Sequence, residues 1–147
     1  VKCGPEIVPE LRRVLEASGK QFKQTVVISF DYDVVRSVKK AMPRLTVLWL
    51  LDATPKRDKK TAKVLVTLKE RIEHCRRAGL DGLSVSRESE LNEDFVKQVR
   101  GAGLQLHVWT VNSAEEARKL AALGVDAITT DRPGWLRRQL QTGGNTE

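Results

Sequence analysis

Residues 104–133, LQLHVWTVNSAEEARKLAALGVDAITTDRP, decide the fold class. The first seven are rich in β-favouring side chains and lie between Gly103 and the polar pair Asn112-Ser113, which predicts a strand over 104–110. Ser113 and Glu116 stand at capping-box spacing, where a Ser oxygen and a Glu carboxylate satisfy backbone N–H groups of the first helical turn. Ala114, Ala117, Leu120 and Ala121 then share one helical face, while Glu115, Arg118 and Lys119 point away. Gly124 supplies a left-handed stop, and 125–130 is a short apolar run ended by Asp131-Arg132-Pro133. A strand, a helix and a strand in this order form a βαβ unit, which implies a parallel sheet.

The same alternation recurs upstream. Residues 25–30, TVVISF, are a β-branched run of the kind buried on both faces. Residues 45–51, LTVLWLL, and 83–86, LSVS, predict two further strands. A helix is expected over about 9–17, with Ile7, Val8, Leu11, Val14 and Leu15 at helical spacing. Others are expected over 32–41, burying Val34, Val35 and Val38, and over 92–100, with Asn92 as cap and Phe95, Val96 and Val99 inward. A long helix over about 58–78 would place Leu65, Leu68, Ile72 and Cys75 on one face and leave His74 at the surface. A short helix over 135–140 closes the domain, assigned to 1–141, and 142–147 reads as a frayed tail. Val1-Lys2-Cys3 resembles a strand's end, so further sequence is expected upstream.

The chain is 147 residues long, 40% hydrophobic and 31% charged, which suits a globular domain with its own core. No apolar run approaches the ~18 residues needed to cross a bilayer. The formal charge of +7 is spread over clusters such as 56–60, Arg76-Arg77 and Arg137-Arg138, without the Gly/aromatic interleaving of a nucleic-acid surface. No nucleic-acid partner is therefore expected. Cys3 and Cys75 have no metal-ligand spacing and read as two buried thiols, which favours a reducing, cytoplasmic setting.

The run His107-Val108-Trp109-Thr110-Val111-Asn112, a capped helix, then Gly124-Val125-Asp126 and Thr130-Asp131-Arg132-Pro133 resembles the end of a glycerophosphodiester phosphodiesterase domain. The resemblance implies the C-terminal portion of a TIM (β/α)8 barrel, from the end of the third strand to the eighth. It also implies metal-dependent hydrolysis of a small-molecule glycerophosphodiester to glycerol 3-phosphate and an alcohol. In that family a strand ends in Glu-x-Lys, whose Glu binds metal and whose Lys contacts phosphate; Val1-Lys2 match its last two positions, making Lys2 the catalytic candidate. Ser29-Phe30-Asp31 resembles the fourth-strand ending, where the aromatic lines the cleft. Trp109 and Asp131, at the ends of two more strands, complete the substrate-side candidates.

Each candidate also has a structural reading. Lys2 could be a mobile terminal residue, Phe30 and Trp109 core aromatics, and Asp131 the anchor of the turn before Pro133. His107, in phase with Trp109, points to the same face and reads as a hydrogen-bonded structural residue. The family's His-Arg-Gly, Glu-x-Asp and His-Asp motifs do not occur here, so the divalent cation the resemblance implies, Mg or Ca, has no ligands assigned in this sequence. These residues alone are expected to be inactive. The competing architecture is an open, doubly wound five-stranded sheet with Asp31, Asp52 and Asp131 at its strand ends, and the competing role is a non-catalytic module for anionic ligands or a protein partner.

Overall fold

The structure, a computed structural model, describes residues 1–52 and 67–142. Five strands alternate with helices: β1 Val26–Ser29, β2 Thr46–Leu51, β3 Gly82–Ser86, β4 Gln105–Trp109 and β5 Ala127–Ile128. The helices are α1 Val8–Ala17, α2 Tyr32–Ala41, α3 Leu68–Ala78, α4 Glu93–Gly101, α5 Ala114–Leu123 and α6 Pro133–Thr142. All four strand pairs are parallel and the order is β1-β2-β3-β4-β5. A doubly wound sheet reverses its strand order at a switch point; this sheet never does, and it forms a sequential arc of a (β/α)8 barrel. Val1 lies along the free edge of β1, its amino group donating to the Ile28 carbonyl (2.6 Å) and its carbonyl accepting from Ser29 Oγ (2.9 Å).

Period-two alternation gives the sheet two unlike faces. Val27, Val47, Leu83, Val85, Leu106 and Val108 are buried against the helices and belong to one core with Val34, Val35, Val38, Cys75, Val99 and Leu120. By the register, Val26, Ile28, Leu50, Ser84, His107 and Trp109 occupy the other face. There Val26 and Ile28 are 47% and 37% exposed. The expectation that 25–30 is buried on both sides is thus corrected: among the described residues helices cover one side only of β1, and alternate residues look away from them.

The starts of β3 and β5 are built alike. Gly79 and Gly124 end α3 and α5 in the left-handed region (φ 65° and 88°), a conformation in which any Cβ is strained. Two residues later Asp81 grips Val47 of β2: its N–H donates to the Val47 carbonyl (3.0 Å), and its carboxylate accepts from Val47 N (2.7 Å). Asp126 grips Leu106 of β4 in the same way, at 2.9 and 2.8 Å. A cation backs each carboxylate, Lys39 Nζ at 2.7 Å from Asp81 and Arg100 at 3.9 Å from Asp126.

Several local expectations change. Val14 is exposed because α1 buries a narrow stripe of Val8, Leu11 and Leu15. Thr67 is extended and caps α3 in a reciprocal box with Glu70, so no continuous helix runs through it; 58–66, including Leu65, lies outside the described residues. Ser113 caps α5, but Glu116 reaches Arg87 rather than closing the box. Cys3 is exposed and not buried, since Gly4-Pro5 turns the chain off the sheet at that point. His74 is half-buried, its ring packed on Tyr32 and Trp49. The tail at 143–147 is outside the described residues, and Thr142 still belongs to α6.

Candidate active site

The C-terminal ends of the parallel strands form one edge, and the candidate residues are found there. Asp31 follows β1 and caps α2, its Oδ1 accepting from the backbone N–H groups of Asp33 (2.8 Å) and Val34 (3.2 Å). This cap fixes the turn that carries Phe30, whose carbonyl also accepts from Trp49 Nε1 (3.1 Å). The Phe30 ring is therefore held at the edge while 55% exposed.

Trp109 ends β4 on the face away from the helices. Its Nε1 donates to the Ser84 carbonyl (3.2 Å), and its ring meets Phe30 edge-to-face, with centroids 5.8 Å apart and planes at 85°. Three inter-strand spacings separate β1 from β4, about 14 Å in a flat sheet. Contact between these two rings means that this face is concave, as in a barrel. The chain leaves Trp109 through a cis peptide bond to Thr110.

Lys2 is exposed beside the same edge. With Cys3, Gly4, Ser29, Phe30 and Asp31 it lines a cleft of about 340 Å³. Lys2, Phe30 and Trp109 thus form one row, Lys2 sharing the cleft with Phe30 and Phe30 touching Trp109. Asp131 sits farther along, tied into the loops: its Oδ2 accepts from Asn112 Nδ2 (2.7 Å), while Asn112 Oδ1 accepts from Thr130 Oγ1 (2.9 Å) and Asp131 N (3.0 Å). Its carboxylate joins the β4–α5 loop to the β5–α6 loop.

His107 shares the concave face with Trp109 but lies two residues deeper. Its Nε2 is 3.2 Å from Gln105 Oε1. Burial holds the imidazole below its ordinary value, with Asp126 pulling the other way. Ser84 and Ser86, not singled out in the sequence, also occupy this face and are buried; Ser86 pairs in register with Trp109 and accepts from Glu88 N (3.3 Å). The S-V-S alternation in β3 was the available signal, because every second residue of a strand shares a face.

A divalent cation needs several oxygen ligands converging on one point. Among the described residues no three His, Cys, Asp or Glu side chains converge in this way. Asp31 and Asp131 are committed to a helix cap and a loop tie. The residues present therefore do not fit a cation site, and no step through a cation follows from them.

Residues 2–135 match the Glycerophosphoryl diester phosphodiesterase family. Over 139 residues the chain is 29% identical to the glycerophosphodiester phosphodiesterase of Bacillus subtilis (strain 168), a match covering 88% of this chain and 44% of that protein. It superposes on an Oleispira antarctica phosphodiesterase, solved in complex with the product sn-glycerol-3-phosphate, with a TM-score of 0.74 at 20% identity, over 93% of this chain and 50% of that one. A glycerophosphodiester phosphodiesterase from Parabacteroides distasonis ATCC 8503 gives 0.69 at 23% identity, over 98% and 56%. At these identities the solved structures speak for the fold, and the chain spans about half the length of each relative. With Trp109 against Phe30 and Asn112 tied to Asp131 at one edge of a sequential parallel sheet, the chain belongs to the glycerophosphoryl diester phosphodiesterase family, and its strands are the C-terminal portion of that TIM barrel.

Proposed function

We propose that these residues form the substrate-side wall of a phosphoric diester hydrolase that converts a glycerophosphodiester and water into glycerol 3-phosphate and an alcohol. The observation carrying this reading is the contact between Phe30 and Trp109 on the concave edge, beside the cleft that holds Lys2. An ammonium at that edge attracts the phosphate and the charge developing on it. Lys2 makes no ion pair among the described residues, so it is available for this. The aromatic pair covers the apolar side of the glycerol unit and excludes water from the reacting centre. Asp131 orients the loops that frame the far side of the cleft. We place the divalent cation, Mg²⁺ or Ca²⁺, and the acid/base groups of the reaction outside the described residues, in the remainder of a complete barrel. The free thiols of Cys3 and Cys75 suit a cytoplasmic setting; no described helix is long and apolar enough to cross a membrane.

A second reading rests on the lack of a converging carboxylate cluster among the described residues: Lys2 and the aromatic pair bind a phosphodiester without cleaving it. One experiment separates the two. Residues 1–147 and the complete barrel are each incubated with glycerophosphocholine and glycerophosphoethanolamine in the presence of Mg²⁺ or Ca²⁺. Release of glycerol 3-phosphate by the complete barrel alone supports the wall assignment. Binding without release by both supports the second reading, and robust turnover by residues 1–147 overturns the division of labour proposed here.

A further inference from the structure

The outer, helical layer carries a second concavity, about 680 Å³ in volume, between α2 and α3. Helical spacing builds its walls. On α2, Tyr32, Arg36 and Lys40 stand at i, i+4 and i+8, one stripe down one face; on α3, His74, Arg77 and Ala78 stand at i, i+3 and i+4. The two stripes face each other across the groove. Tyr32, Pro43 and Ala78 give it an apolar floor, and among the described residues no Asp or Glu lines it.

The charges on its rim are unequally committed. Lys39 donates to both Asp81 oxygens and to the Leu45 carbonyl, and is structural. Arg36 and Arg77 meet Asp33 and Glu73 of their own helices at 3.0 Å in exposed i,i+3 and i,i+4 pairs. Such pairs contribute little, so either guanidinium can turn to a stronger acceptor. Lys40 is exposed and makes no ion pair among the described residues. Cations in the last turns of helices are ordinary complements to the helix dipole. Here, however, Lys40 and Arg77 of those last turns, with Arg36 one turn earlier on α2, rim one apolar trough, which that complement does not require. The tyrosine hydroxyl is bound to the His74 carbonyl (3.0 Å), so the floor presents its ring and not a competing donor.

We propose that this groove binds a single anionic amphiphile, an acyl or alkyl chain bearing a phosphate or carboxylate head. The chain lies on Tyr32, Pro43 and Ala78, and Arg36, Lys40 and Arg77 hold the head. The volume falls within the range of small-molecule sites. Lys40 and Arg77 stand in the last turns of α2 and α3, and the groove shares no lining residue with the cleft beside Lys2 and Phe30, so an occupant leaves that cleft free. The inference is independent of the activity proposed above.

Calorimetric titration of the intact protein tests it with three probes below any micelle-forming concentration: dodecyl phosphate, dodecanol and inorganic phosphate. Dodecyl phosphate is expected to bind with one site, and at least about tenfold more tightly than either half alone, because head and chain are held together. Arg36→Gln, Lys40→Gln and Arg77→Gln are each expected to weaken it by about tenfold. All three are solvent-exposed positions, and a urea midpoint confirms that each variant remains folded. Val26→Asp, on the concave sheet face, should leave binding unchanged. Inorganic phosphate binding as tightly as dodecyl phosphate would overturn the proposal, as would variants that bind normally or loss of binding in Val26→Asp.

Discussion

Replacing Trp109 with Ala distinguishes a wall from a core residue, and the structure sets the size of the effect. Truncating a fully buried Trp costs about 3–5 kcal/mol. Trp109 is half-buried, so roughly half of that applies, about 1.5–2.5 kcal/mol, and the lost bond to the Ser84 carbonyl brings the total to about 2–4 kcal/mol. Phe30→Ala should cost less, about 1 kcal/mol, because the ring is largely exposed. The edge-to-face contact couples the two by about 0.5–1.5 kcal/mol, so the double variant should fall short of the sum by that amount. Urea midpoints of the two single variants and the double variant, measured in the complete barrel, give the cycle. Steady-state kinetics on a glycerophosphodiester should show kcat/KM of the folded Trp109→Ala protein reduced about 10- to 100-fold. A loss near 5 kcal/mol with unchanged kinetics would refute the wall assignment, and strict additivity would refute the ring contact.

Three further outcomes follow from single residues. Burial keeps the folded His107 below its ordinary 6.5, so its contribution to stability is complete above that value and is lost as pH falls through the folded value; His107→Gln should flatten this part of a urea-midpoint profile, and a wild type that gains stability on acidification there would contradict it. Iodoacetamide should alkylate exposed Cys3 in the native protein, whereas Cys75, with its thiol pushed up to about 12 by burial, should react after unfolding; equal rates in mass spectra over time would contradict it. Gly82→Ala would put a Cβ 2.2 Å from the Gln105 carbonyl oxygen and should cost at least about 1–3 kcal/mol, whereas Gly101→Ala, with nothing within 4 Å, should be neutral or stabilising by up to ~1 kcal/mol in thermal melts.

The sequential parallel sheet was legible because each β-branched run is followed by a helical stripe with its own stop, and Gly124 and Asn92 act as the sequence suggests. Phe30 and Trp109 were legible as a pair through motif position and strand phase, and their rings meet. Other features were hidden. The 25–30 run looks fully buried because apolar composition does not say whether a second layer exists. Glu116 has capping spacing, but the Arg87 guanidinium competes for it across 29 residues, a partner visible only in three dimensions. His74 falls off the apolar stripe of α3, yet Tyr32 and Trp49 come over from α2 and β2 to cover it. The repeated grips of Asp81 and Asp126 had a sequence signal, Gly-Leu-Asp-Gly and Gly-Val-Asp-Ala at 79–82 and 124–127, but four residues recurring once do not stand out.

Those two grips act like the zero marks of a ruler read from its other end. A one-residue slip between parallel strands would exchange the faces of the sheet. Asp81 and Asp126 prevent it by holding the backbone of Val47 and Leu106 on both sides, and they do so at the strand starts. From Asp81 to Ser86 the chain advances about 16 Å, and from Leu106 to Trp109 about 10 Å. The height at which Trp109 meets Phe30 is therefore inherited from carboxylates far beneath it. A mutation at either Asp could misplace the cleft by a whole side chain without altering any residue that lines it.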